Sequence, residues 1–123
     1  MYVVTFYSFK GGVGRTHAAV NIAWSLVNAG LQVLLVDFDL EAPGLTHLPA
    51  LAPSAGERKG GVAEIIADSW EAKQTQDPGN YLYRPEGFDG RLAVMPAGAV
   101  GTLTFSKAFS QTREFFRVAF DNK

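Results

Sequence analysis

The chain of 123 residues carries 11 Lys plus Arg against 12 Asp plus Glu, a formal charge of −1, which argues against a surface given over to nucleic-acid phosphates. At 47% hydrophobic and 19% charged it has the makeup of an ordinary globular domain, not of a disordered segment. The absence of cysteine excludes a disulfide framework, a zinc-thiolate site, a cysteine-ligated iron–sulfur cluster and a cysteine nucleophile among these residues, and makes the reducing cytoplasm the expected compartment.

The first residues show no basic region ahead of an apolar stretch, so they do not read as a secretory signal. Residues 2–9 are rich in aromatic and β-branched side chains (Tyr2, Val3, Val4, Thr5, Phe6, Tyr7) and predict a largely buried strand. The glycines after Lys10 stop it. Over residues 16–29 Ala19, Ile22, Ala23, Leu26 and Val27 recur at helical spacing, with Gly30 where a helix-ending glycine belongs. Residues 31–36 form a short apolar run closed by Asp37, expected to be a strand covered on both faces. The absence of formal charge over residues 16–36 raises the question of a membrane span, but Asn21, Ser25, Asn28, Gly30 and Gln32 break the stretch.

Strand, helix and strand in succession make a βαβ unit, which places a ligand site at the carboxyl ends of the strands, where the glycines and Asp37 fall. Residues 48–61, with two prolines, three glycines and the run Glu57-Arg58-Lys59, read as a mobile loop. A short amphipathic helix is expected over 62–73, turning Val62, Ile65, Ile66 and Trp70 inward. Residues 74–90 carry turn chemistry and read as a loop or a marginal strand pair. A further strand is expected over 91–96. From about residue 104 a helix runs to the end, with Phe105, Ala108, Phe109, Phe115, Phe116, Ala119 and Phe120 on one face. Its basic residues Lys107, Arg113, Arg117 and Lys123 read as a solvated face diluted by Glu114 and Asp121. A face so rich in phenylalanine needs a surface to cover it, and the isolated chain is expected to associate.

The stretch Phe9-Lys10-Gly11-Gly12-Val13-Gly14-Arg15-Thr16 carries the most chemistry. Between a strand and a helix, its glycines let backbone amides turn inward as a nest, the helix start adds partial positive charge, and two cationic side chains flank the concavity. These features favour a polyphosphate. The standard phosphate-loop pattern fails at Phe9 and Arg15, and a dinucleotide fingerprint fails where its third glycine falls on His17. The alternative is a purely structural strand-to-helix turn. Asp37 and Asp39 stand two apart at a strand end, positioned to share an ion or, alternatively, to cap the following turn. His17 and His47 read as surface or cap residues, and Glu41 as a solvated loop acid.

The run Lys10-Gly11-Gly12-Val13-Gly14-Arg15-Thr16 resembles the deviant Walker A motif of the ParA/MinD-like ATPases, with Lys10 at the place of that motif's signature lysine. Val36-Asp37-Phe38-Asp39 resembles the same family's switch I segment. The likeness is sharpest to a subgroup whose loop ends in Gly-Arg instead of Gly-Lys and continues Asp-Phe-Asp-Leu-Glu-Ala-Pro-Gly, as at residues 37–44. Residues 92–98 are similar to a later strand and turn.

The resemblance implies an α/β P-loop NTPase-like three-layer fold with a mostly parallel sheet, residues 1–123 being the N-terminal part of one nucleotide-binding domain. No strand after Met95 supplies the Walker B aspartate. It implies Mg-ATP binding and slow hydrolysis, coupled to an ATP-dependent homodimer or to a protein, DNA or membrane partner. The amides of Gly11, Gly12, Val13, Gly14, Arg15 and Thr16 would cradle the phosphates, with Thr16 on Mg²⁺ and Asp37 binding the metal through a water. Asp39 would position the attacking water, and Lys10 would reach across the dimer to the facing subunit's ATP. Arg15 departs from the wider family. Its planar guanidinium preserves phosphate binding but weakens the case for fast hydrolysis. The rival expectations are a non-hydrolysing ATP-dependent switch or adaptor and a regulator of a bacterial tyrosine kinase, or such a kinase itself; a dinucleotide oxidoreductase ranks behind both.

Overall fold

Helical periodicity, a glycine stop and short β-branched runs set the elements of the fold. The structure, a computed structural model, describes residues 1–8, 11–54 and 60–121. Helix α1 spans Arg15–Asn28 and turns Ala23 and Val27 inward, with Ala19 and Val20 partly buried beside them. Its end is fixed by Gly30, whose φ of 86° suits glycine. The Gly30 amide donates to the Val27 carbonyl at 2.9 Å and the Leu31 amide to Leu26 at 3.0 Å, the paired bonds of a Schellman stop.

Strand β1, Val33–Val36, pairs in parallel with β2, Leu92–Met95, with Leu35 opposite Val94 and Val36 opposite Met95. Leu35, Leu92 and Val94 pack with the α1 stripe, Leu45, Leu51, Tyr83 and Phe88 in the main core. Helix α2, Val62–Ala72, covers Met95 with Val62, Ile65 and Ile66. Helix α3, Leu103–Asp121, lies against α2 through Ala63, Ala67 and Ala108, small residues that bring the two backbones close. There the buried Thr112 hydroxyl donates to the Ala63 carbonyl at 3.0 Å.

A buried carboxylate holds the start of α2. Glu64 accepts from the Gly61 amide at 2.8 Å and from the Ala99 amide at 3.0 Å, tying the helix to the turn after β2. A Cβ on Gly61 would overlap the Pro96 carbonyl, and one on Gly98 would overlap the Phe105 ring, so both positions need glycine for space.

The structure corrects several expectations. Residues 1–8 form no strand, and Tyr2, Val3, Val4 and Tyr7 are exposed, because strand propensity supplies side chains suited to a pleated surface but not a ladder partner. Strand β1 is covered on one face only, leaving Leu34 and Val36 exposed. In α1 the stripe runs through Ala19, Ala23 and Val27, leaving Ile22 and Leu26 exposed. In α3 the packed line is Phe105, Ala108 and Thr112, while Phe115 and Phe120 are exposed and Ala119 faces out with them. Trp70 is exposed and meets Phe115 edge to face, with ring centroids 5.1 Å apart. Within the expected loop 48–61, Pro49–Leu51 forms a 3-10 turn with Leu51 in the core, and Glu57-Arg58-Lys59 lie outside the described residues. Residues 74–90 contain the 3-10 turn Pro78–Tyr81 and an isolated antiparallel bridge from Tyr83 to Val94.

Candidate functional site

The glycine loop and the end of β1 meet at the start of α1. Gly12 and Gly14 hold φ of 71° and 83°, conformations that would strain an L side chain. Among the described residues, nothing lies within 4 Å of where a Cβ would stand on Gly11, Gly12 or Gly14. Helix α1 starts at Arg15 without a side-chain cap and without an acidic residue in its own first turn, and its partial positive end faces the exposed loop. That combination of turned backbone, open approach and helix dipole suits an anion.

Asp37 closes β1 and is buried, 8% exposed. One carboxylate oxygen accepts from the Asp39 amide at 3.1 Å; the other accepts from the Gly44 amide at 2.9 Å and the Leu45 amide at 3.1 Å. Asp37 thereby fixes both ends of residues 38–45. Leu40 packs into the clusters under α2 and α3, Leu45 enters the main core, and Phe38 meets Phe116 edge to face at 6.3 Å. Asp39 uses one oxygen to cap the turn, accepting from the Ala42 amide at 3.1 Å.

Arg15 joins this segment to the loop. Its guanidinium donates to the Ser8 carbonyl at 3.0 Å and lies 3.3 Å from the second oxygen of Asp39. Thr16 sits beside Gly44, where a Cβ would come within 2.9 Å of the Thr16 hydroxyl. Arg15, Thr16, Asp37 and Asp39 are thus drawn together, with Gly11 to Gly14 alongside; Lys10 lies outside the described residues. The Ser8 carbonyl and the amides of Ala42, Gly44 and Leu45 belong to the same assembly. Of these, Ala42 and Gly44 carried a signal in the sequence, as members of the run 37–44. A cavity of about 280 Å³ lined by Trp24, Val27, Phe88 and Arg91 lies at the opposite end of α1 and takes no part.

Comparison with known proteins bears directly on this loop. A family model described as an AAA domain matches residues 1–70, which include the glycine loop, α1 and the Asp37–Asp39 segment. The chain belongs to this AAA-domain family. The AAA-domain chain is 45% identical over 47 residues to an iron–sulfur cluster carrier protein of Deinococcus radiodurans, covering 38% of this chain and 13% of that protein. It is 42% identical over 48 residues to an uncharacterized ATP-binding protein of Methanocaldococcus jannaschii, covering 39% and 18%. A longer match, 31% identical over 127 residues, joins 97% of this chain to 14% of the succinoglycan biosynthesis transport protein ExoP of Rhizobium meliloti. The chain therefore spans less than a fifth of the length of these curated relatives. No solved structure matches it. The matches support a ParA/MinD-like P-loop assignment. Among the described residues, no helix is long and apolar enough to cross a membrane.

Proposed function

We propose that this chain is the N-terminal part of a ParA/MinD-like, deviant Walker A nucleotide-binding domain of three-layer α/β type, acting in the cytoplasm. It binds Mg-ATP at residues 10–16 and hydrolyses it slowly, coupled to dimerisation or to a partner protein, DNA or membrane. The observation that carries the reading is the convergence of an open glycine loop, an uncapped helix start and two carboxylates on the next strand end. The printed name of the M. jannaschii relative, an ATP-binding protein, agrees with it.

The amides of Gly11 to Thr16 hold the phosphates and Lys10 reaches the nucleotide of a facing subunit. The donor set suits Mg²⁺: the Thr16 hydroxyl, beside Gly44, and the carboxylate of Asp37, which accepts from the Gly44 amide, are hard oxygen ligands, as is Asp39. Thr16 and Asp37 would hold the ion. When bound, Mg²⁺ neutralises charge on the phosphate oxygens. Asp39 orients the attacking water.

A single-turnover assay with γ-labelled ATP on the full natural protein tests this, with Asp39→Ala as control. Phosphate release that is lost in the control supports hydrolysis. Retention of intact ATP supports the second reading, a nucleotide-gated switch, which the engagement of Asp39 by Arg15 favours. No retention of nucleotide contradicts both.

A further inference from the structure

Arg15 stands between two claims on one cation. Its guanidinium spans from the Ser8 carbonyl to Asp39, and both side chains of the ion pair are about a third exposed, at 31% and 39%. The loop beside it offers turned amides but, among its described residues Gly11 to Gly14, no second cation. A phosphate chain entering that loop would meet the same guanidinium. Turning the guanidinium toward a phosphate would lengthen a single contact with Asp39 that already stands at 3.3 Å.

We propose that Asp39 competes with the bound phosphates for Arg15. Arg15 is then a positioning residue that latches residues 38–45 to the loop when the loop is empty and releases them when a phosphate chain binds. This rests on the phosphate-binding reading above and adds a direction to it: the nucleotide-free protein is the latched one. The geometry beyond the pair supports a segment that responds as a unit. Asp37 pins its two ends by amide bonds, Asp39 caps its middle at Ala42, and Phe38 carries it to α3 at Phe116. Freeing Asp39 from Arg15 therefore alters the segment between fixed ends without unfolding it. It also returns to Asp39 the carboxylate oxygen that Arg15 holds.

The test measures binding of inorganic triphosphate, without magnesium, to the full natural protein and to Asp39→Asn, Glu41→Gln, Arg15→Gln and the Arg15→Gln/Asp39→Asn double variant. Competition predicts that Asp39→Asn binds about two- to fivefold more tightly at low salt, the range expected for releasing a partly exposed pair. The exposed Glu41, on the same segment, reports the general effect of removing one negative charge, and Glu41→Gln should gain less. The gain from Asp39→Asn should vanish in the Arg15→Gln background. Equal binding by wild type and Asp39→Asn, an equal gain from Glu41→Gln, or a gain that persists without Arg15 overturns the latch while leaving phosphate binding intact. Failure of the folded wild type and every variant to bind triphosphate instead removes the phosphate-binding reading, and the competition with it.

Discussion

Asp37 does at residue scale what the motif alone does not specify. A carboxylate that is 8% exposed and accepts three backbone amides stabilises the turn after β1 through charge-assisted bonds. Asp37→Asn keeps the shape but points an amide donor at a backbone donor. It should lower unfolding stability by about 1–3 kcal/mol, read from urea melts. A variant as stable as wild type would show that the carboxylate does not organise residues 38–45. Gly44→Ala tests the neighbouring contact. Its methyl would press on the Thr16 hydroxyl, so magnesium-dependent nucleotide binding should weaken more than stability does. The sequence made Asp37 and Asp39 visible as a pair at a strand end, and in the structure each accepts backbone amides of the turn that follows. The ion pair from Arg15 to Asp39 was not legible, because 24 residues separate the partners and no local pattern links them.

At the scale of elements, α2 depends on Glu64 as much as on its apolar face. Glu64→Ala strands the Gly61 and Ala99 amides and should cost about 1–3 kcal/mol. Tyr81 supplies a pH-dependent contact at the same helix. Burial pushes its phenol up to about 12, and the hydrogen bond to Asp68 at 2.6 Å adds to the shift. A raised acid pKa means that the native state holds the proton more tightly than the unfolded chain. The stabilisation is therefore complete below about pH 10 and is lost as pH rises through 12. Thermal melts should show that Tyr81→Phe loses less stability than wild type between those values; parallel curves would contradict the assignment. Helices α1, α2 and α3 and both strands were legible from periodicity, glycine stops and β-branched runs. Which helical stripe is buried was less so. Thr112 lies on the packed face of α3 in register with Ala108, and its hydroxyl donates to the Ala63 carbonyl, a partner 49 residues away that no local pattern reveals.

Across the whole molecule, the described apolar surface is incompletely covered. Val3, Val4, Tyr7, Leu34, Val36, Phe38 and Phe120 are exposed, on the N-terminal segment, the open face of β1 and the end of α3. Exposed apolar surface spread over several elements drives association, so the 123-residue chain should sediment as oligomers at micromolar concentration. A monodisperse, cooperatively melting monomer would contradict this. The N-terminal segment marks the boundary of what composition can foretell. Tyr2 to Tyr7 have the residue types of a strand, and pairing depends on an edge in register, which a local run cannot supply.

The central claim is that residues 10–16 bind nucleotide phosphates with a magnesium ion at Thr16. Its most direct test is equilibrium ATP binding to the full natural protein, with and without Mg²⁺, for wild type and Thr16→Ala. The account predicts binding that Mg²⁺ tightens in wild type, and a loss of about tenfold or more, roughly 1.4 kcal/mol, in Thr16→Ala only when Mg²⁺ is present. Absence of ATP binding by the folded wild type, or equal magnesium-dependent affinity in the two proteins, would contradict it.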